Sequence, residues 1–145
     1  MASTPQFGAS AVFAYNTTNI TAANTAADGT GTVTFLQTNT SGTAADWVAG
    51  AGGAYIDSIV ILSRGTNVVT VMRVFANANA TNTTAANNEL IGEATCPATT
   101  VSQVAALPPV ILQVKKWFPA GTKLFVTIGT AVAAGFNVSA YGSQM

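Results

Sequence analysis

Apolar and polar residues alternate with a period of two along most of this chain, in short runs rich in Val, Ile, Thr and Phe. Clusters of Gly, Asn, Asp and Pro separate the runs. That pattern predicts half-buried strands between turns. Thr32 to Thr38 sets Val33 and Phe35 on one face and Thr34 and Leu36 on the other, behind a turn at Ala27 to Gly31. Tyr55 to Ser63 places Ile59 and Ile61 on one face, with Ile56 out of phase, so a bulge or bend is expected near Asp57. Asn67 to Asn77 is apolar on both faces and reads as a central strand, entered by a hairpin turn at Ser63 to Thr66. Asn88 to Cys96 is a weaker strand, and Pro109 to Phe118 turns Val110, Leu112 and Val114 inward. After a Pro/Gly turn at Pro119 to Lys123, Leu124, Val126 and Ile128 share one face. Phe136, Val138 and Ala140 share one in the next strand, across the Gly129 to Gly135 joint. These two read as a strand pair, and an early strand is expected around Ala11 to Tyr15.

About eight short strands result, and no window carries the helical period. The predicted fold is all-β: a jelly-roll-like antiparallel β-sandwich in a single domain over 9–145, preceded by an extended N-terminal arm over 1–8. Three loops are long: Asn16 to Gly31, Asn39 to Gly53, and the Asn/Ala/Thr-rich Asn77 to Asn88.

Charge changes the picture more than length does. Charged residues are 7% of the 145, five basic against five acidic, for a formal net charge of +0. An average soluble protein carries roughly 25%. A neutral chain lacks the clustered cations that nucleic acid requires, and near-zero net charge favours association. An outer skin of Thr, Ser and Asn suits a pleated surface and avoids the cost of desolvating ions against a neighbour. No stretch reaches the ~20 apolar residues of a membrane-spanning helix. The opening MASTPQFGAS lacks the basic and apolar regions of a secretory signal, so synthesis in the cytoplasm is expected.

Candidate chemistry is sparse. The chain has no His and one Cys, so neither an intrachain disulfide nor a His-activated nucleophile can be built. Asp28, in DGTG, reads as a turn residue rather than part of a phosphate loop, which would need a Lys and a following helix. Asp57 is expected to pair with Arg73 on the next strand. Glu89 and Glu93 share a strand face with no evident partner, a poor basis for a two-carboxylate hydrolase site. Cys96 reads as a small core residue. Lys115, Lys116 and Lys123 form a small basic group beside Trp117 and Phe118, too few cations for strong phosphate binding. Trp47 and Trp117 read as core or interface residues, or as stacking platforms for sugar rings. No catalytic residue, metal ligand or cofactor is expected.

The segments TAANTAADGTGTV (Thr21 to Val33), IDSIVI (Ile56 to Ile61), GTNVVTVMRVF (Gly65 to Phe75) and PAGTKLFVTIGTAVAAGFNVSAYG (Pro119 to Gly142) resemble, in matching order over most of the chain, a family of small virion proteins of tailed bacteriophages. The resemblance implies a non-enzymatic capsid decoration, or cement, protein with a jelly-roll-like fold. Such a protein sits on the outside of the head, often as a homotrimer, and bridges major capsid protein subunits. The expected contact residues are Pro5 and Phe7 in the N-terminal segment, Trp47 with the Asn39 to Gly53 loop, Tyr55 and Tyr141. The alternative function is a head-fibre or tail-associated adhesin that recognises host glycans through Trp47, Tyr55 or Tyr141 and the Asn-rich loops.

Overall fold

A computed structural model describes residues 10–40, 42–79 and 81–144. The chain is all-β, with ten strands among these residues. They are β1 (Ser10–Tyr15), β2 (Thr34–Phe35), β3 (Gln37–Thr40), β4 (Thr43–Asp46), β5 (Ala54–Ser63), β6 (Thr70–Asn77), β7 (Glu89–Cys96), β8 (Val110–Phe118), β9 (Lys123–Ile128) and β10 (Phe136–Gln144). A six-stranded sheet runs β4-β3-β1-β10-β5-β8 and a four-stranded sheet runs β2-β9-β6-β7. All strand pairs are antiparallel.

The pairings nest: β1 with β10, β2 with β9, β5 with β8, β6 with β7. A long antiparallel hairpin rolled into two facing sheets has this order, and it is the jelly-roll form of the sandwich. The β3–β4 hairpin is added outside β1. It occupies part of the stretch from Asn39 to Gly53 that the sequence presents as loop. The run Thr32 to Thr38 is likewise two strands. The chain leaves the small sheet after Phe35, buries Leu36, and enters the large sheet at Gln37.

The hairpin turn expected at Ser63 to Thr66, the turn at Pro119 to Lys123 and the joint at Gly129 to Gly135 are all crossovers. β5 to β6, β8 to β9 and β9 to β10 each pass from one sheet to the other. The last two strands of the chain therefore face each other across the core rather than pairing edge to edge. Leu124, Val126 and Ile128 meet Phe136, Val138 and Ala140 in one buried cluster with Ile56, Ile59, Ile61, Met72 and Val74. β6 is central, as its two apolar faces require, lying between β9 and β7.

Beyond this core the two sheets differ on their outer faces. On the small sheet, Phe75 and Phe125 point away from the core, are fully buried, and stack at 5.2 Å and 11°. The chain's own loops cover them. Gly29 approaches so closely that a Cβ there would lie 3.0 Å from the Phe75 ring. Asn82 Nδ2 donates to the carbonyls of Gly29 (2.8 Å) and Gly31 (3.0 Å), and Asn88 Nδ2 donates to those of Asp28 (3.1 Å) and Asn82 (2.9 Å). Asn24 Nδ2 holds the same loop through the carbonyls of Thr30 and Thr32, both at 2.7 Å. The Asn-rich loops thus bind each other and roof the small sheet, the use to which their side-chain amides are put.

Candidate functional site

Among the described residues, nothing roofs the outer face of the large sheet in this way. Inward alternation of Val12, Ala14, Val138, Ala140, Ile59 and Ile61 turns their strand neighbours outward. Across β1, β10, β5 and β8 the outward rows are Tyr15–Ser139–Val60–Ile111, then Phe13–Tyr141–Ser58–Gln113, then Ala11–Ser143–Tyr55–Trp117. Phe13 (50%), Tyr141 (43%), Ile111 (53%) and Trp117 (52%) are large apolar or aromatic side chains left in water on one face. Phe13 lies 5.3 Å from Tyr15 and 5.5 Å from Tyr141 between ring centroids, and Tyr55 lies 5.4 Å from Trp117. Scattered exposed apolar residues are ordinary, but a contiguous patch marks a contact surface. At the far end, Phe13, Tyr15, Thr17, Leu62, Arg64, Asn137 and Ser139 line a groove of about 580 Å³.

A fault across three strands sets the Tyr55–Trp117 row. The β10–β5 register shifts between Tyr141 and Gly142, and the β5–β8 register shifts between Ile56 and Ser58. On β8 the shift falls at Lys115, which has φ +49°. Asp57 is the extra residue of β5, at the place where the phase of Ile56 predicts a bulge. The bulge buries Ile56 and Ile59 on the same side, three positions apart, and so puts Tyr55 outside with Ser58.

Several expectations are corrected by this geometry. Trp47 is only 4% exposed and belongs to the core, because its backbone N–H donates to Leu36 O (2.9 Å) as the β3–β4 hairpin returns, carrying the indole inward. It is no surface contact and no sugar platform. Tyr55 and Tyr141 do lie on the exposed face. Pro5 and Phe7 lie outside the described residues. Asp57 cannot pair with Arg73 across adjacent strands, since β5 and β6 belong to different sheets. Arg73 instead meets Glu93 at 2.6 Å. Glu89, which lacks an evident partner in the sequence, pairs with Lys116. Lys123 reaches Asp46 at 3.3 Å, so Lys116 and Lys123 go to separate acids. Asp28 is a turn residue as expected: Oδ1 accepts from Thr30 Oγ1 (2.7 Å) and Thr30 N (3.0 Å), which lowers its pKa. The sequence gives no sign that Phe13, Ile111 and Trp117 join Tyr55 and Tyr141 in one patch, because all three pairings that join the four strands are remote in the chain.

Cys96 is buried at the end of β7, on the wall of a cavity of about 160 Å³ also lined by Ile61, Leu107, Pro108 and Phe136. Burial pushes its thiol up to about 11, against an ordinary 9.0. Only the thiolate attacks, so a disulfide reagent at about pH 8 is expected to label native protein no faster than it unfolds. Labelling at the rate of a free thiol would show an open site. The unfolded thiol ionises first, so this group's contribution to stability is intact below pH 9.0 and is lost as pH rises towards about 11.

Among the described residues, no group of three or more His, Cys, Asp or Glu gathers. No protein-family model, no curated protein and no solved structure matches the chain.

Proposed function

We propose that this chain is a structural protein of a bacteriophage virion, a decoration protein that binds the outside of the head as a homo-oligomer and stabilises it by bridging major capsid protein subunits. The observation that carries the reading is the contrast between the two outer faces. The small sheet's aromatics are roofed by the chain's own loops, whereas the described residues leave Phe13, Tyr141, Trp117 and Ile111 of the large sheet exposed, with half-buried Tyr55 beside them. Among the described residues, two loops fold over one apolar face and none over the other, which leaves that face to be covered by protein. Its scarcity of charge supports the same reading, since few ions need be desolvated when it is covered. Binding only the assembled shell would stabilise that state by mass action. The sequence resemblance to phage virion proteins supplies the kind of assembly. The adhesin alternative is weakened by the burial of Trp47 and by the engagement of Asn24, Asn82 and Asn88 in roofing the small sheet.

The test adds purified protein to heads, of the phage that encodes it, from which it has been stripped. Saturable co-sedimentation with heads, and a higher temperature of DNA release, are the expected results. Binding to a defined glycan on an array, with no retention on heads, would replace this reading with the adhesin.

A further inference from the structure

We propose that the outer face of the large sheet pairs with the same face of a second copy, about a single twofold axis that seats the Tyr55–Trp117 pair of each copy in the groove beside Leu62 of the other.

The face holds both halves of such a contact. At one end Tyr55 and Trp117 project from adjacent strands as an aromatic pair, with the indole half in water. At the other end lies the groove of about 580 Å³ flanked by Phe13, Tyr15, Leu62 and Asn137. A twofold axis lying in the plane between two stacked faces exchanges two points of the surface, so one operation fills both grooves. A contact made by one patch with itself closes at two copies. The other exposed large apolar side chains offer no matching surface for a ring of three. Val48, Val68, Val69, Leu90, Val101 and Val104 lie outside this face, most of them on connections.

Area and charge fit the same occupant. Four strands at about 4.8 Å, with the three rows above and the partial row Asn137–Leu62 beyond them at about 7 Å spacing, make a face on the order of 500 Å² before corrugation. Two such faces bury about 1,000 Å² or more, the size at which specific interfaces begin. The charged residues at the face are Asp57 and Lys115, opposite in sign at the bulge, and Arg64, which lines the groove that receives the aromatic pair. Two copies therefore bring together surfaces without a large single-sign field, and no oppositely charged partner is called for. Exposed aromatics, Trp and Tyr above all, carry most of the energy of contacts of this kind.

The pairing rests on the same uncovered face as the virion reading and names a second copy as what covers it, but its test is separate. The full-length protein is expected to be a dimer by light scattering at roughly 100 µM, a concentration chosen for the weak end at which interfaces this small lie. Trp117→Glu and Leu62→Lys, both at exposed positions, are each expected to weaken dimerisation at least tenfold with the thermal midpoint of the monomer unchanged. Mixing the two variants is the sharper experiment. In the mixed dimer one groove receives Glu opposite Lys and the other receives the native pair, so association returns, whereas either variant alone has both contacts spoiled. A wild-type monomer, a trimer, or variants that neither dissociate alone nor recover when mixed would each overturn the proposal. A monomer that still binds heads would leave the virion reading in place, and a dimer that ignores heads would do the reverse.

Discussion

Asn67→Ala is expected to lower the free energy of unfolding by about 3–4 kcal/mol, a large share of the roughly 5–15 kcal/mol of a single domain. Asn67 is 4% exposed and spends its whole side chain on the backbone and hydroxyls of other segments. Nδ2 donates to Ser63 Oγ (2.8 Å) and Gly135 O (2.9 Å). Oδ1 accepts from the N–H of Ala134 (2.8 Å) and of Gly135 (3.0 Å). Its backbone exchanges hydrogen bonds with Thr99 at 3.1 and 2.9 Å. One residue thereby ties together the exits of β5 and β7 and the entry to β10, the places where the chain changes sheets. Alanine leaves buried donors and acceptors without partners, and each such group costs about 1–3 kcal/mol. Asn67→Asp keeps the two accepted bonds but loses both donations and buries a charge, so it should fall no less far. Urea unfolding of the three proteins checks this; a loss under about 1 kcal/mol for alanine would mean that water replaces the amide.

Gly142→Ala should cost about 3 kcal/mol, the upper range of overpacking, for a reason of space rather than conformation. A Cβ at 142 would sit 1.9 Å from Tyr55 O and 3.0 Å from Ile56 Cα, and neither is the movable end of a side chain. The glycine lets β10 press against β5 where Asp57 is looped out. Filling it must push the strands apart or erase the bulge, and either change disturbs Tyr55 and Trp117. The contrasting variant is Gly121→Ala. Gly121 has φ +83° with nothing within 4 Å of its absent Cβ, so only the left-handed backbone is penalised, by roughly 1–2 kcal/mol. Thermal unfolding ranks the two. Equal losses would show that the β10–β5 approach tolerates a methyl group.

The period-two pattern determined where strands lie and which residues point inward. Ile59 with Ile61, Val138 with Ala140, and the phase break at Ile56 that marks the Asp57 bulge are all local facts, because consecutive side chains of a strand must take opposite faces. Alternation says nothing about partners. β9 and β10 read as a strand pair yet belong to opposite sheets, and Asp57 and Arg73 read as neighbours yet are separated by the core, because pairing is decided by residues remote in the chain, such as Phe75 with Phe125 and Phe13 with Tyr141. The same limit applies to burial. An indole gains by leaving water whether core or partner covers it, so Trp47 and Trp117 look alike in the sequence. The return of the β3–β4 hairpin sent one inside, and the pairing of β8 at the bulged end of β5 left the other out. The scarcity of charge was written in the residues from the start, but only the tertiary structure decided which of two apolar outer faces the chain would cover for itself.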